Sequence, residues 1–351
     1  MTPSLAGQAL TVLGAVPAAA LGVTLPHEHL LLDLRFMFRE PEPASARGRA
    51  AAPLDLVTHY GVTHDWFDHR DNLVLDDEAV AVEEATRYRQ AGGGALVDPT
   101  NLGIARDPQA LQRIARSTGL HVIMGAGYYV GASHPQDMDR RTEDAVTREI
   151  VRDVTEGVGD TRVRAGLIGE IGCSWPWTEN ERKSVRAAAE AARQTGAPLM
   201  IHPGRDPAAP AAHLDEVRKV GLDLGRVIVC HVERTIPPGE PDRLRALAET
   251  GCYLEYDLFG MEVSHYPFGS PDVVSDAERM RQVLGLLERG HGRQVLLSHD
   301  ICFKMRLTRY GGHGYAHILQ HIVPRLRRKG LGEADVRMLI ADNPARAVTF
   351  A

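Results

Sequence analysis

The sequence contains little cysteine, little lysine and no long apolar segment. Its four cysteines are far apart among 351 residues and none forms a CxxC pair. This argues against a disulfide-rich secreted domain and indicates reduced thiols in a cytoplasmic protein. No apolar run approaches the roughly 18 residues of a membrane span, and no basic segment of a signal peptide precedes the first apolar residues. The net charge of -6 gives no indication of a nucleic-acid surface.

The sequence instead repeats one pair of segments. A short run rich in Val, Ile, Leu and Gly ends in a polar residue, and a stretch with helical spacing follows it. The pattern predicts eight strands, at residues 21–29, 94–100, 121–129, 165–172, 197–204, 226–233, 252–257 and 294–300. Apolar strands that alternate with helices form a buried parallel sheet, and eight such units predict an α/β fold, the (β/α)8 TIM barrel. A doubly wound open sheet is the alternative, but the glycine-rich phosphate loop that usually accompanies it is not found.

We expect one domain over residues 1–351, because no Gly/Ser linker, low-complexity tract or charge run divides the chain. Residues 1–20 are expected to form a short N-terminal β-hairpin, and residues 21–351 to form the barrel. A long first loop is predicted over residues 31–76, and a pair of helices is expected to close the C-terminus.

Side chains that bind metals lie at the predicted ends of the strands. In TLPHEHL, His27 and His29 are two residues apart and point to the same face of the strand, while Glu28 points away. Sixteen histidines could produce such a pair by chance, so the other strands must decide. Their ends carry Glu170, His202, His231 and Asp300. Because the carboxyl ends of the strands carry the chemistry of a (β/α)8 barrel, these six side chains are predicted to converge. Their imidazole and carboxylate groups suit two ions of Zn, Mn, Co or Fe.

Several segments resemble one family. TLPHEHL, GLIGEIG, LMIHPGR, VIVCHVERT, CYLEYDLFG and LLSHD followed by RYGGHGYAHIL are similar to the phosphotriesterase family of the amidohydrolase superfamily. GEIGCSWP, GCYLEYDLFG and YGGHGYAHI are typical of its phosphotriesterase-related branch. The resemblance extends over nearly the whole chain. It implies a binuclear centre, with zinc as the first expectation, in which one ion is held by His27, His29 and Asp300 and the other by His202 and His231.

The bridge between the two ions departs from the founding members of the family. They use a carbamylated lysine, whereas GLIGEIG places Glu170 at that position and none of the four lysines lies at a strand end of this kind. The resemblance implies that a hydroxide bridging the ions attacks the substrate, with Asp300 as general base and then general acid. His299 lies on the opposite face of its strand and is expected to have a supporting role.

Candidate substrate-binding residues lie in the loops after the strands. They are Tyr128, Tyr129, Arg234, Lys304, Arg306 and His313. The cationic residues favour a substrate with a negative group, since Arg binds planar oxyanions through paired hydrogen bonds. Packing of the tyrosines, a structural ion pair of Arg234 and a solvated loop after Asp300 are alternatives that the sequence leaves open.

The resemblance implies a hydrolase of small molecules, first of all of an N-acyl amide of a small anionic compound such as N-acetyltaurine. A lactonase or carboxylesterase with the same metal centre is an alternative, and phosphotriester hydrolysis would be promiscuous at best. A non-catalytic binding protein is a hypothesis of another class, and it predicts a broken ligand set, whereas all six ligands are present. A homodimer would agree with the family, and no contact with nucleic acid or a membrane is expected.

Overall fold

The computed structural model describes residues 5–42, 44–263, 265–266 and 272–351, which form an α/β barrel. Its strands are β1 Gln8–Thr11, β2 Gly14–Pro17, β3 Thr24–Leu25, β4 Leu32–Asp33, β5 Val74–Leu75, β6 Ala95–Asp98, β7 His121–Ala126, β8 Leu167–Gly172, β9 Leu199–His202, β10 Val227–Val229, β11 Tyr253–Tyr256 and β12 Val295–Leu297. Eight of them form one sheet in the order β12-β11-β10-β9-β8-β7-β6-β3, with parallel pairing. These are the eight predicted strands in chain order, so the predicted TIM barrel is confirmed.

Helices alternate with the barrel strands. They are α1 Ala44–Ala50, α2 His59–Val62, α3 Glu78–Gln90, α4 Pro108–Thr118, α5 Glu143–Thr155, α6 Glu179–Thr195, α7 Ala209–Val220, α8 Val232–Thr235, α9 Pro241–Glu249, α10 Asp276–Glu288, α11 Val323–Arg328, α12 Glu333–Arg337 and α13 Asn343–Ala347. The longest, α6, shows how the sequence sets their limits. A capping box between Thr178 and Glu181 satisfies its first backbone N–H groups, and Gly196 ends it in the left-handed conformation at φ 74°.

Alternation along the strands separates two layers of the core. Ala95 and Val97 of β6 belong to one hydrophobic cluster, and Leu96 between them belongs to the other. Successive side chains of a strand point to opposite faces. The cluster with Ala95 and Val97, here called the inner cluster, therefore fills the barrel, and the cluster with Leu96 lies between the sheet and the helices. Ala9 of the β1–β2 hairpin and Val348 after α13 belong to the inner cluster. The hairpin and the C-terminus therefore pack against the interior of the barrel; residues 1–4 of the predicted hairpin segment lie outside the described residues.

The segments outside the barrel strands have short elements of their own. In the predicted first loop, β4 pairs with β5 in antiparallel register, and α1 and α2 lie between them. The predicted C-terminal helix pair corresponds to α12 and α13, which follow α11. None of the helices in the described ranges has both the length and the apolar character that crossing a membrane requires. The four cysteines are free thiols.

A buried carboxylate joins the last strand of the barrel to the first. Glu28, which follows β3, accepts hydrogen bonds from the Ser298 hydroxyl at 2.9 Å and from the backbone N–H groups of His299 and Ile301 at 2.9 and 3.0 Å. Its Oε1 also lies 2.6 Å from Nδ1 of His299. Glu28 thus ties the residues after β12 to those after β3, and its own charge is met by donors from that segment.

We predict that Glu28→Ala lowers the free energy of unfolding of the metal-stripped protein by about 3–5 kcal/mol, because the substitution leaves several buried donors without an acceptor. Urea unfolding followed by circular dichroism measures the change. The control is Glu240→Ala, which removes an exposed ion pair with Arg243 and should change the free energy of unfolding by less than about 0.5 kcal/mol. Equal effects of the two substitutions would contradict a closing role for Glu28.

Candidate active site

The six predicted strand-end residues lie together at the carboxyl end of the barrel. Glu170, in β8, is at the centre of the group. Its Oε2 is 2.8 Å from Nδ1 of His202 and 3.6 Å from Nε2 of both His231 and His27. Its Oε1 is 3.4 Å from Nε2 of His29. One carboxylate therefore contacts the two histidines that follow β3 and those at the ends of β9 and β10.

Asp300 approaches the same group from the segment after β12. Its Oδ1 is 3.3 Å from Nε2 of His29 and 3.6 Å from Nε2 of His27. Asp300 and His231 both have left-handed backbone conformations, with φ 50° and 53°. This region of backbone space is unfavourable for side chains with a Cβ atom and is frequent at functional sites. Two of the six residues of the cluster therefore have a strained backbone conformation.

The donor set fits divalent cations. Ligand atoms of His27, His29 and Asp300 lie within 4.8 Å of one another, and so do those of His27, Glu170 and His231. Nε2 of His27 is buried and has no hydrogen-bond partner among the described residues. Burial alone would lower the pKa of His29, but the carboxylates of Asp300 and Glu170 raise it to about 9. The carboxylates thus favour positive charge here, and a divalent ion can supply it in place of protons.

Another buried carboxylate orients the histidines. Asp257, directly after β11, lies 3.0 Å from Nδ1 of His27 and 2.7 Å from Nδ1 of His231. Nδ1 of His29 similarly lies 2.7 Å from the Thr100 hydroxyl. Burial raises the pKa of Asp257, but the two imidazoles outweigh it and hold the pKa below its usual value. Because Nδ1 of His27, His29 and His231 is engaged in this way, Nε2 of these three histidines is directed to the cluster and can bind a metal.

A cavity of about 530 Å³ opens above the cluster, and His202 and Asp300 contribute to its lining. Of the six predicted substrate-binding residues, the structure brings Tyr129 and Arg234 to this cavity. The Tyr129 hydroxyl is 3.4 Å from Nδ1 of His202, and Nη1 of Arg234 is 3.3 Å from Nε2 of the same ring. Burial and the nearby charge of Arg234 lower the pKa of His202 to about 3, so its imidazole remains neutral.

The other four predicted residues do not line this cavity. The hydroxyl of Tyr128 accepts a hydrogen bond from Nη1 of Arg141 at 2.8 Å. Lys304 donates to Asp71 in the long first loop at 2.6 Å. Both side chains therefore have their partners within the protein, and the structure gives them packing and pairing contacts.

Arg306 and His313 also contact each other and the backbone. Arg306 donates to the carbonyl oxygens of Asp300 and Phe259 at 2.8 and 3.0 Å, and to Nε2 of His313 at 3.2 Å. His313 lines a smaller, separate cavity of about 240 Å³. The positively charged side chains of Lys304 and Arg306, in the loop after Asp300, therefore bind acceptors of the protein and do not line the larger cavity.

Two residues of the site were missed in the sequence. Asp257 ends the segment CYLEYD, so a carboxylate at a strand end was visible there. Arg205 lies three residues after His202 in LMIHPGR and also lines the cavity. Its guanidinium carbon is 3.3 Å from the centroid of the Tyr266 ring. Its position just after β9 was the available signal, because that loop opens at the same end of the barrel as His202.

Comparison with known proteins agrees with this geometry. The sequence profile of the phosphotriesterase family matches residues 7–348. A protein from Tetraodon nigroviridis named N-acetyltaurine hydrolase is 41% identical over 349 residues, which are 99% of each chain. Among solved structures, a resiniferatoxin-binding protein from Rhodobacter sphaeroides has a TM-score of 0.94 at 41% identity, over 98% of this chain and 95% of that one.

A more distant structure is a mutant of a PTE-like lactonase from Deinococcus radiodurans, with a TM-score of 0.75 and 27% identity over 97% of this chain and 99% of that one. The family profile and the relatives at 41% identity extend over almost the entire chain. The protein belongs to the phosphotriesterase family of hydrolases.

Proposed function

We propose that the protein hydrolyses an N-acyl amide of a small anionic compound, similar to N-acetyltaurine. One observation carries the proposal: Glu170 and five other side chains suited to two divalent ions meet at the floor of a cavity. The relative from Tetraodon nigroviridis, which is named for this activity, supports the choice of substrate because its similarity extends over 99% of both chains.

One ion would be held by His27, His29 and Asp300 and the other by His202 and His231, and Glu170 would contribute its carboxylate to this centre. Zinc is the proposed metal, and Mn, Co and Fe suit the same donors. When bound, two divalent ions supply an acidified water and polarise the acyl carbonyl group.

The proposed role of Asp300 is proton transfer. A water that attacks the acyl carbon must lose a proton, and the nitrogen must gain one as the C–N bond breaks. Asp300 lines the cavity, and its side chain is 13% exposed, whereas that of Glu170 is 3% exposed. Burial raises the pKa of Asp300, but the neighbouring His27, His29 and His231 lower it below its usual value. Asp300 therefore starts as a carboxylate that can accept the proton and then donate it to the nitrogen.

Tyr129 is the proposed partner of the substrate carbonyl oxygen. Its hydroxyl lies at the cavity wall beside His202. Burial and the carboxylates of Glu170 and Asp300 raise the pKa of Tyr129 well above its usual value. The phenol thus keeps its proton and can donate a hydrogen bond to the oxygen on which negative charge develops.

Two other activities have specific support. The lactonase from Deinococcus radiodurans at 27% identity favours an ester or lactone, which the same groups could hydrolyse. The resiniferatoxin-binding protein at 41% identity is named for binding a ligand, and a binding protein is the second alternative. Protein that carries two metal equivalents and hydrolyses lactones but no amide would support the first, and protein that hydrolyses neither would support the second.

The proposed compartment is the cytoplasm. All four cysteines are free thiols. Thiols stay reduced in the cytosol, whereas secreted proteins of oxidising compartments usually pair them.

We predict that Glu170→Gln lowers kcat/KM for N-acetyltaurine at least about 100-fold, because the substitution removes the carboxylate that contacts both sets of histidines. Acetate release from zinc- or manganese-loaded protein measures the effect, and elemental analysis gives the metal content. The control is Glu179→Gln, a side chain that is 89% exposed at the start of α6 and should leave turnover unchanged. Full activity of Glu170→Gln would contradict the assignment.

For Asp257→Asn we expect metal affinity to fall about 10- to 100-fold, since an amide does not fix the two imidazoles as a carboxylate does. Competition with a chromogenic chelator measures the affinity. Asp55→Asn, in the first loop and exposed, serves as the matched control. An unchanged metal affinity of Asp257→Asn would show that Asp257 does not position the ligands.

Metal binding should release protons. In the metal-free protein the pKa of His29 is about 9, so this imidazole is protonated near neutral pH and must lose its proton to bind an ion. Manganese affinity should therefore rise from about pH 6 to about pH 9 and then level off. Calorimetry in buffers of different ionisation enthalpy should give at least about one proton released per protein near pH 7. No proton release at that pH would contradict the shifted pKa of His29.

A further inference from the structure

Two arginines line the cavity and have no carboxylate partner in the part of the chain that the structure describes. Arg234 is 4% exposed, and its guanidinium donates to the carbonyl oxygen of Pro203 at 2.6 Å. Its Nε is buried and has no hydrogen-bond partner among the described residues. Within the same ranges of the chain, no carboxylate forms an ion pair with Arg234. A buried cation in this state is unusual, because burial of a charge is unfavourable unless the charge is compensated.

Arg205 contributes the second charge. It stacks over the ring of Tyr266 and lines the same cavity. Burial and the charge of Arg234 lower the pKa of Arg205 well below the usual arginine value. No carboxylate of the described segments pairs with Arg205 either. Two positively charged side chains that line the same cavity favour the binding of an anion there.

Other buried arginines are compensated within the chain. Arg106 pairs with Asp153 at 2.8 Å, and Arg279 pairs with Asp276 at 2.8 Å. Arg306, as buried as Arg234, donates to two backbone carbonyl groups. Arg106 and Arg279 thus have an acidic partner that Arg205 and Arg234 lack among the described residues. Arg234 also differs from Arg306, because its buried Nε has no acceptor within those residues.

We propose that Arg205 and Arg234 bind the anionic group of the substrate and are its specificity-determining residues. This rests on the proposed function, since the substrate is cleaved at the neighbouring cluster. His202 fixes the relation between the two subsites, because its Nδ1 faces Glu170 while its Nε2 faces Arg234. The anion lies beside the metal-binding cluster, one imidazole ring away from it. A sulfonate or a carboxylate meets these requirements, and guanidinium groups bind either through paired hydrogen bonds.

The first test measures binding without turnover. Ethanesulfonate and propionate are titrated into the metal-loaded protein and followed by calorimetry. Arg205→Gln and Arg234→Gln should each weaken binding of the preferred anion at least about tenfold, since each removes charge-assisted hydrogen bonds. The control is Arg309→Gln, which removes an exposed cation of the loop after Asp300 that pairs with Glu83. Anion binding that is equal in wild type and both cavity variants would overturn the proposal.

The second test separates specificity from catalysis. For N-acetyltaurine, both glutamine variants should lower kcat/KM about 10- to 100-fold. For the uncharged N-ethylacetamide, Arg205→Gln should leave kcat/KM within about twofold, and Arg234→Gln, which also removes a contact with His202, should lower it less than for N-acetyltaurine. Arg205→Lys and Arg234→Lys keep the charge and should recover part of the loss. Equal losses on both amides would assign the arginines a structural role and refute the proposal.

The two proposals fail in different ways. A wild type that cleaves neither amide, but binds ethanesulfonate or propionate through these arginines, would refute amide hydrolysis and keep the anion subsite. If the wild type and both glutamine variants cleave N-acetyltaurine equally well, amide hydrolysis is supported and the anion subsite is refuted.

Discussion

The placement of one carboxylate among four imidazoles is the constraint on which the site depends. Glu170 contacts histidines from β9 and β10 and both histidines after β3, so its position requires the barrel to be closed. A carboxylate surrounded by neutral imidazoles in a buried place is unfavourable without positive charge. In the metal-free protein a proton on His29, whose pKa the carboxylates raise to about 9, supplies part of that charge. Divalent ions are the alternative supply, and folding and metal binding are thereby linked.

Two further carboxylates hold this arrangement by different means. Glu28 is compensated by a hydroxyl and backbone N–H groups and fixes the main chain on either side of Asp300. Asp257 is compensated by two imidazoles and fixes their direction. Loss of the first should reduce stability, whereas loss of the second should reduce metal affinity, because one acts on the backbone and the other on ligand side chains.

The sequence predicted the parts that periodicity controls. Strand ends are visible in the apolar runs, and the barrel brings strand ends together, so His202 and Asp300 could be grouped although 98 residues separate them. Loop residues do not follow such a rule. The partner of Lys304 is Asp71, 233 positions away, and no local pattern reveals that pair. Arg205 was visible as a residue near a strand end, but the absence of an acidic neighbour is a property of the folded chain.

Whether the protein itself supplies acceptors for a buried arginine distinguishes the structural arginines from those proposed to bind substrate. Arg234 and Arg306 are both 4% exposed. Each contacts a proposed metal ligand, Arg234 the ring of His202 and Arg306 the backbone carbonyl oxygen of Asp300. Arg306 donates to two carbonyl oxygens and to His313, so the chain itself provides its acceptors. Among the described residues, Arg234 retains a buried donor without an acceptor, and no carboxylate pairs with Arg205 in the same cavity. A buried donor is tolerated when a bound ligand accepts its hydrogen bond. Arg205 and Arg234 can therefore select an anionic substrate, while the cluster around Glu170 carries out a hydrolysis that is common to amides and esters.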